Sequence, residues 1–470
     1  MDRVSLNKVI QVIQGTSVLA DQVAASVEGI SIDSRTTTPG DLFFAIHGQR
    51  LDGHEFVAEA IEHGAQACVV KHGTETGPLS QPLIAVDDVN RALQEFAGWY
   101  RSQQQATVIG VTGSVGKTTT RNMIHSALSP FLKGVQSPAN YNNEFGVPLS
   151  IAQIELVHEY AVLELAASRS GEIQELAQIA QPELGVITGI GPSHLEHFGT
   201  LDQTADAKAE LFEQLSAQGL AVVNGDDPFA ESLISKTSAR TLTVGLGDQN
   251  DLQAVFVRQA HDGIKFQFED TEYFVPARGK HFVYAALFAI AVGKEFGLSN
   301  QNLIEGVCQF ASVPGRCHVE QIGHWTIIDD TYNASPVSMR AACQILKDWS
   351  GSGKRILVMG DMLELGAESR RYHHEMGEFI AASGIDLLFV CGKQAGAVVQ
   401  GAVSANLSRD RIVQATDVSE LQSDVVSCLE VGDVVLVKGS RGMRMERLIS
   451  YLNRQVSLDA TSGEKKISCV

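Results

Sequence analysis

Cysteine is scarce in this sequence, and its positions form no pattern. The 470 residues include seven cysteines, at positions 68, 308, 317, 343, 391, 428 and 469. Their number is odd and none are spaced as Cys-x-x-Cys, so neither a disulfide framework nor a cysteine zinc site is indicated. Such scattered thiols are typical of a reducing compartment, and we predict a cytoplasmic protein.

The sequence also lacks long apolar runs and an excess of positive charge. No run approaches the ~20 residues of a membrane span, and the N-terminus has no apolar signal-peptide region. Asp and Glu number 55 against 36 Lys and Arg, which gives a net charge of −19 and argues against a broad nucleic-acid surface. We therefore predict neither a membrane span nor a nucleic-acid partner. A phosphate site is compatible with this charge, because it needs only local positive potential.

One stretch has the pattern of a phosphate-binding loop. A β-branched strand pattern over 107–112 leads into a glycine-rich turn, and Lys117, Thr118 and a helical pattern follow. Backbone N–H groups of such a loop and of the helix N-terminus bind phosphates. Lys117 would reach the β- and γ-phosphates, and the Thr118 hydroxyl would ligate Mg²⁺. The standard spacing has glycine where Val111 stands, so a chance glycine-rich turn is the alternative.

The length predicts about three domains, and strand and helix patterns alternate along the chain. We predict an α/β protein with a central parallel-sheet ATPase domain, an N-terminal substrate domain and a C-terminal Rossmann-like domain. The predicted ranges are 1–98, 99–313, 314–455 and, for a polar tail, 456–470. Ile264–Phe268 and Glu272–Val275 are predicted to form a hairpin at the edge of the central sheet.

Polar residues at or near the ends of predicted strands are candidates for a site. Glu164 lies in an apolar run, and His194 follows another strand, at the edge where open α/β sheets bind ligands. Buried glutamate needs a partner, so a salt bridge for Glu164 and a capping role for His194 are the alternatives. Lys208, between two alanines, is on pattern alone a surface lysine. Four residues of the first domain are on pattern alone solvated turn residues: Ser34, Arg35, Asp52 and His54.

The sequence resembles the Mur ligases over its whole length. The motifs that carry the resemblance are Asp33–Arg35, Asp52–His54, Thr112–Thr119, Asn142–Pro148, Asp330–Pro336, Gly360–Gly366 and Lys438–Arg444. Thr112–Thr119 is similar to the loop variant of the family as a whole, which accounts for its unusual glycine spacing, and the other motifs are similar to those of the members that add a D-alanyl-D-alanine dipeptide. The Asp-Asn-Pro-Arg stretch of the diaminopimelate- or lysine-adding members is absent from the sequence.

The resemblance implies a reaction and its substrates. ATP would phosphorylate the terminal carboxylate of UDP-N-acetylmuramoyl-tripeptide, and the amine of D-Ala-D-Ala would attack the acyl phosphate. ATP and Mg²⁺ are the implied cofactors, and we expect a monomer. Two rival interpretations are another amino-acid-adding enzyme of the superfamily and a catalytically silent nucleotide-binding homologue.

The resemblance also implies roles for individual residues. The implied catalytic residues are Lys117, Glu164, His194 and Lys208. The implied ATP contacts are Gly113, Ser114, Gly116, Lys117, Thr118, Thr119, Asn143, Arg316 and Asp330. The implied metal ligands are Thr118, Glu164, His194 and Lys208, the last as an anionic carbamate formed with CO₂, since an ammonium cannot bind a metal. The implied UDP-substrate contacts are Ser34, Arg35, Asp52 and His54. The implied dipeptide contacts are Tyr332, Asn333, Ser440 and Arg441.

Two stretches depart from the pattern of the family. The family usually has His-Asn-x-x-Asn before its alanine-rich helix, whereas His281 is followed here by Phe282 and Ala285. Ala166–Arg169 stands where a Gly-Ala-Asn-His type of stretch is usual. The missing asparagines help to place the nucleotide in the family, so we expect an active enzyme with an altered affinity for ATP.

Overall fold

The computed structural model describes residues 1–17, 25–48, 50–74 and 81–464, with side chains as far as 458. Its strands form five sheets: a seven-stranded, a six-stranded and a five-stranded sheet, and two small ones. The three large sheets follow one another along the chain, as the predicted α/β organisation requires. Within the described parts of the chain, no helix has the length and apolarity needed to cross a membrane.

The first large sheet lies in the N-terminal part of the chain. Its parallel strands are, in spatial order, Gly29–Ser31, Asp41–Phe44, Ala67–Lys71 and Leu83–Val86, and Thr16–Ser17 pairs antiparallel with the last of these. Val4–Ser5 and Ser26–Val27 form a separate two-stranded ribbon. The helices of this part are Leu6–Val12, Val57–Glu62 and Val89–Ser102. The last helix crosses the predicted boundary between 98 and 99.

The central sheet has seven strands, all of them parallel. In spatial order they are Leu252–Gln253, Arg240–Gly245, Leu220–Asn224, Leu184–Ile187, Thr107–Thr112, Tyr160–Glu164 and Gly134–Gln136. Side chains of the strand Thr107–Thr112 alternate between two apolar clusters, with Val108 in one and Ile109 and Val111 in the other. Both faces of the sheet are thus covered, which explains why interior strands such as Leu184–Ile187 and Leu220–Asn224 are almost wholly apolar.

The helices of the central unit pack on these two faces. Those contributing to the Val108 side are Gly146–Ile151, Glu172–Ala180, Leu195–Phe198, Leu201–Glu213 and Ala230–Ile234. Those contributing to the other side are Lys117–Leu128, His281–Glu295 and Asn300–Cys308. Helix Leu201–Glu213 begins with a capping box, in which Thr200 accepts a hydrogen bond from the backbone of Gln203.

The predicted hairpin forms, but it does not lie at the edge of the central sheet. Ile264–Phe268 and Thr271–Val275 pair antiparallel, and Val255–Gln259 joins them in a separate three-stranded sheet. Alternating side chains of these strands, among them Phe266 and Tyr273, pack into the same apolar cluster as helix His281–Glu295. Packing against a helix therefore replaces pairing with the central sheet.

The C-terminal sheet has six strands. In spatial order they are His318–Ile322, Trp325–Asp330, Val434–Lys438, Arg355–Gly360, Leu387–Cys391 and Ile412–Ala415, and only the first is antiparallel to its neighbour. The helices are Pro336–Lys347, Ser369–Ala382, Ala395–Ser404, Val418–Cys428 and Glu446–Glu464. The last helix continues to Glu464, so the predicted polar tail from 456 is helical up to that residue; 465–470 lie outside the described residues.

Candidate functional site

The phosphate-binding loop lies between the strand Thr107–Thr112 and the helix Lys117–Leu128. Gly113 has φ +144°, and a Cβ there would lie 2.1 Å from the Thr188 hydroxyl. The amine of Lys117 donates to the carbonyl of Gly113 at 2.7 Å, so it is folded back over the loop. Burial lowers the pKa of Lys117, and the neighbouring Glu164 carboxylate opposes this shift.

Glu164 ends the neighbouring strand and is only 1% exposed. Three polar side chains surround its carboxylate. Thr118 Oγ1 donates to Oε2 at 2.9 Å, Asn142 Nδ2 donates to Oε1 at 2.9 Å, and Nη1 of Arg121 lies 3.4 Å from Oε2. The partner that a buried glutamate requires is therefore Arg121, which also donates to the carbonyl of Ala139. The Thr118 hydroxyl and the carboxylate converge as two oxygen donors, the ligands that Mg²⁺ prefers.

His194 follows the adjacent strand Leu184–Ile187 and precedes the short helix Leu195–Phe198. Its Nδ1 lies 2.5 Å from Oε2 of Glu364, a residue of the C-terminal unit. The hydrogen bond from His194 holds the pKa of Glu364 below its usual range. The contact joins the central and the C-terminal units beside the phosphate-binding loop.

Lys208 is buried, contrary to the surface position that its sequence pattern predicts. It is 1% exposed, its amine donates to the carbonyl of Ala167 at 3.0 Å, and it lies 4.9 Å from the centre of the Phe198 ring. Burial lowers the pKa of Lys208 to about 7, and the charge of Lys117 adds to the shift. The alanines on either side of Lys208, Ala207 and Ala209, are also buried and belong to the apolar cluster on the Val108 side of the central sheet.

The C-terminal unit supplies a second set of charged groups. Asp330 is buried, and its Oδ2 accepts a hydrogen bond from Lys438 at 2.6 Å. The amine of Lys438 also donates to the carbonyl of Asn333 at 2.9 Å. The guanidinium of Arg316 lies 4.0 Å from the centre of the Tyr332 ring. Sequence reasoning missed Lys438 as the partner of Asp330, although it stands in a motif next to the predicted Ser440.

A cleft of about 900 Å³ separates the two units, and most of the predicted ATP and metal residues line it. The predicted residues on its walls are Ser114, Gly116, Lys117, Thr118, Thr119, Asn143, Glu164, His194, Arg316, Asp330, Tyr332 and Asn333. Two buried hydroxyls among the wall residues, those of Ser114 and Ser193, have no hydrogen-bond partner in the described structure. Polar atoms without partners in a polar cleft are expected where a ligand or ordered water binds.

Some predicted residues do not line this cleft. They are Gly113, Lys208, Ser440, Arg441 and the four candidates for the UDP end. Ser440 is buried, where it donates to the carbonyl of Ala334 and accepts from the N–H of Leu363 at 2.8 Å. Arg441 is exposed and its guanidinium lies 5.9 Å from the centre of the Tyr332 ring.

The four candidates for the UDP end lie at the carboxyl edge of the N-terminal sheet. Ser34 donates to Glu59, and Arg35 pairs with Asp33 through two hydrogen bonds. Asp52 accepts from Nδ1 of His54 at 2.6 Å, while Nε2 of His54 accepts from the backbone of Lys71 at 3.0 Å. Hydrogen bonds from His54 lower the pKa of Asp52 to about 2.

The departure at 282 and 285 places two apolar residues in the core. Phe282 is 1% exposed, and its ring centre lies 4.3 Å from that of His281 and 5.7 Å from that of Phe310. Burial lowers the pKa of His281 to about 4. His281 and Phe282 both line the cleft, and Ala285 is buried behind them.

Within the described ranges, no group of three or more His, Cys, Asp and Glu side chains could hold a metal ion. Mg²⁺ is commonly held by one or two protein ligands together with substrate phosphates, and the pair Thr118 and Glu164 fits that arrangement. The parallel sheet, the loop with Lys117 and the buried carboxylate beside it define the class of the molecule. It is a P-loop nucleotide-binding protein with its site between two α/β units.

Comparison with known proteins narrows this class to a family. Family models match residues 26–101 ("Mur ligase family, catalytic domain"), 111–293 ("Mur ligase middle domain") and 315–441 ("Mur ligase, glutamate ligase domain"). The UDP-N-acetylmuramoyl-tripeptide–D-alanyl-D-alanine ligase of Bacillus subtilis (strain 168) is 35% identical, over 95% of this chain and 98% of its own. The chain belongs to the Mur ligase family.

Solved structures agree with this assignment. A crystal structure of MurF from Acinetobacter baumannii is 31% identical and superposes with a TM-score of 0.88, over 97% of this chain and 99% of its own. The MurF ligase of Thermotoga maritima, in complex with ADP, is 29% identical with a TM-score of 0.80, over 94% of this chain and all of its own. The predicted three-part α/β fold and the predicted family are thus confirmed.

Proposed function

We propose that the protein is an ATP-dependent ligase that joins D-alanyl-D-alanine to UDP-N-acetylmuramoyl-tripeptide in the synthesis of peptidoglycan precursors. The observation that carries the proposal is the cleft, in which Lys117, Thr118 and Glu164 of the central unit face Arg316 and Asp330 of the C-terminal unit. The close relatives bear the name of this activity, and they match nearly the full length of the chain.

The reaction requires positioning and charge neutralisation more than covalent help from the protein. The γ-phosphoryl group of ATP passes to the terminal carboxylate of the tripeptide, which gives an acyl phosphate and releases ADP. The amine of the dipeptide then attacks the carbonyl carbon, and phosphate leaves as the amide forms. Lys117 exchanges its bond to the Gly113 carbonyl for the phosphate oxygens, and backbone N–H groups at the start of helix Lys117–Leu128 bind the same charge.

We propose Mg²⁺ as the cofactor, held by Thr118 and Glu164 together with the nucleotide. The bound ion supplies charge neutralisation on the phosphate oxygens. Asn142 donates a hydrogen bond to one oxygen of the Glu164 carboxylate, and the guanidinium of Arg121 forms an ion pair with the other, so both help to keep the carboxylate in place. His194, and Lys208 as a carbamate, are proposed ligands of a second ion. The lowered pKa of Lys208 supports this role, since carbamate formation with CO₂ needs a neutral amine.

The remaining contacts are assigned by the same proposal. Arg316 and Asp330 contact the phosphate and the ribose of ATP from the C-terminal side of the cleft. The predicted ATP contacts Ser114, Thr119 and Asn143 line the cleft on the side of the central unit. The dipeptide contacts are Tyr332, Asn333, Ser440 and Arg441, and the UDP contacts are Ser34, Arg35, Asp52 and His54. Ser34 and Arg35 follow the strand Gly29–Ser31, while Asp52 and His54 follow the adjacent parallel strand Asp41–Phe44, and this shared edge of the sheet supports a common role.

The proposal extends to the organisation and location of the protein. We propose domains at 1–98, 99–313 and 314–455, which the separate large sheets support, although one helix crosses the first boundary. We propose a monomer, because residues of one chain line both sides of the cleft. A cytoplasmic location is supported by six unpaired cysteines among the described residues.

The proposal is tested by phosphate release from ATP, measured with the UDP-tripeptide, with D-Ala-D-Ala and with both. Release that needs both substrates, with a pentapeptide product by mass spectrometry, is the expected result. Release with single amino acids in place of the dipeptide would indicate another amino-acid-adding enzyme. ATP binding without release would indicate a silent homologue.

Lys117→Ala is expected to lower the rate of phosphate release by at least about a thousandfold, since a charged clamp on the transferred group is lost. The fold should persist, because the hydrogen bond of the Lys117 amine goes to its own loop. Lys133→Ala, a change of a lysine away from the cleft, is the matched control. Equal rates in both variants would contradict the assigned role.

A further inference from the structure

A loop of the C-terminal unit is docked beside His194. Oε2 of Glu364 lies 2.5 Å from Nδ1 of His194, and the carbonyl of Glu364 accepts from the N–H of Glu196 at 3.2 Å. A Cβ at Gly366 would lie 3.4 Å from the Cα of Glu196. Side-chain contact, backbone bonding and close packing therefore all join this loop to the segment that carries His194.

Both partners of the contact have an unusual backbone. His194 has φ +52° and Glu364 has φ +63°, the left-handed region that residues with a Cβ rarely adopt. Such conformations persist where the surrounding structure imposes them, and they cluster at functional sites. Two loops, one from each unit, therefore adopt an unfavourable backbone conformation at the point where the imidazole and the carboxylate meet.

The carboxylate of Glu364 can only accept, so the proton of the neutral imidazole lies on Nδ1 and the lone pair on Nε2. A histidine that binds a metal does so through its unprotonated nitrogen, and the partner of the other nitrogen decides which one that is. Residues of the central unit alone do not provide this carboxylate, since Glu364 follows the C-terminal strand Arg355–Gly360.

We propose that Glu364 is a positioning residue that fixes the proton of His194 on Nδ1 and so leaves Nε2 unprotonated for the metal. His194 then has the tautomer that can bind the metal only while the C-terminal unit is docked. The inference rests on the proposed role of His194 as a ligand of Mg²⁺. It assigns to the loop Leu363–Gly366 a role in preparing the site.

The same loop is also bonded to the candidate dipeptide site. The N–H of Leu363 donates to Oγ of Ser440 at 2.8 Å, and the N–H of Ser440 donates to the carbonyl of Asp361 at 3.0 Å. Ser440 Oγ in turn lies 3.3 Å from the carbonyl of Ala334, which follows Asn333. The docking that orients His194 therefore also places the turn that is proposed to hold the attacking amine.

The tautomer of His194 is the direct test, read by proton–nitrogen correlation spectra of the protein with ¹⁵N-labelled histidine. His194→Gln identifies the signals of this residue. The wild-type protein is expected to carry the proton on Nδ1. In Glu364→Ala the Nε2–H form is expected to become the major one. In Glu364→Gln, whose amide oxygen still accepts, the Nδ1–H form should return, which a merely structural role of Glu364 would not predict.

A second readout is the Mg²⁺ concentration needed for half-maximal binding in the presence of ADP, measured by calorimetry. Loss of the partner of a ligating histidine should raise it about tenfold or more in Glu364→Ala. Glu368→Gln is the matched control, because Glu368 is exposed on the adjacent turn and pairs with Arg371. An unchanged tautomer or an unchanged Mg²⁺ dependence in Glu364→Ala would overturn the proposal. A wild-type protein with Nδ1–H and no ligase activity would count against the proposed function alone.

Discussion

Lys208 illustrates at the residue scale how surroundings change chemistry. Its amine has one hydrogen bond, to the carbonyl of Ala167, and an aromatic ring beside it in place of water. These surroundings disfavour the charged form, which is why burial brings the pKa of Lys208 to about 7. A substantial neutral fraction near neutral pH makes the amine reactive toward electrophiles, whereas an exposed lysine is almost wholly protonated.

Lys208→Met is expected to raise the thermal stability near pH 7 in bicarbonate-free buffer, because the folded state disfavours the charge that the unfolded chain carries. The folded pKa of about 7 lies below the ordinary value of 10.5. The unfolded chain therefore binds more protons between these values, and the stability of the wild-type protein rises with pH in that window. The advantage of the variant in melting temperature should shrink as the pH is raised from 7 to 9.

Melting curves at several pH values check this expectation. Lys236→Met is the control, because Lys236 is at the surface and its hydrogen bond with Asp206 raises its pKa. That variant should show no advantage that shrinks with pH. An advantage of Lys208→Met that grows with pH would contradict the stated pKa direction.

At the scale of secondary-structure elements, the phosphate-binding loop depends on a contact with a neighbouring strand. The strand Thr107–Thr112, the loop and the helix Lys117–Leu128 form one continuous piece of chain. Thr188, which follows the neighbouring strand Leu184–Ile187, holds the loop in place. The Thr188 hydroxyl donates to the carbonyl of Val115 at 2.5 Å and lies 3.2 Å from that of Thr112. The space that Gly113 leaves free is what allows this hydroxyl to approach.

Gly113→Ala is expected to weaken ADP binding at least about tenfold and to lower the melting temperature. The added Cβ would lie 2.1 Å from Thr188 Oγ1, so the hydroxyl must move and its bonds to the loop are lost. Gly171→Ala is the matched control. Gly171 also has a positive φ, of +89°, but nothing lies within 4 Å of its added Cβ. That change should cost only about 1 kcal/mol of backbone strain and leave ADP affinity near that of the wild-type protein, as calorimetry would show.

At the scale of the whole molecule, the N-terminus is tied to the central unit. The hydroxyl of Tyr100 donates to the carbonyl of Ile154 at 2.6 Å and accepts from the N–H of Asp2 at 2.8 Å. The carboxylate of Asp2 accepts from the N–H of Leu156 at 2.9 Å. Arg101 adds a pair with Glu183, beside the strand Thr107–Thr112. These bonds hold the first two units together, whereas the C-terminal unit meets them across the cleft.

Tyr100→Phe is expected to destabilise the protein by about 1–3 kcal/mol, because a buried carbonyl loses its partner. Hydrogen exchange should become faster at the amides of Asp2 and Leu156, while exchange in the C-terminal sheet stays unchanged. Tyr141→Phe, a change at a tyrosine that is 40% exposed, is the control and should leave exchange unaltered. Uniformly faster exchange in Tyr100→Phe would mean that the bonds stabilise the whole molecule and not this junction.

The sequence by itself determined those features that neighbouring residues create. The alternation of strands and helices, the glycine-rich turn and the positions of Lys117 and Thr118 are local, since a strand, a loop and a helix cover about twenty consecutive residues. Patterns of this kind can be recognised whatever the order of the strands in an α/β protein. The motifs also carried the family resemblance, which the comparisons confirm.

Only the tertiary structure decided which charged side chains become partners, because this depends on the order of strands in the sheets and on the docking of the units. The pairs Glu164–Arg121, His194–Glu364 and Asp330–Lys438 join distant parts of the chain, and no spacing rule connects their members. The burial of Lys208 could not be predicted from the sequence, because alanines beside a lysine are compatible with both a buried and an exposed position on a helix. A charged group acquires its partner and its pKa from the residues that folding brings around it, and only the packed molecule specifies these.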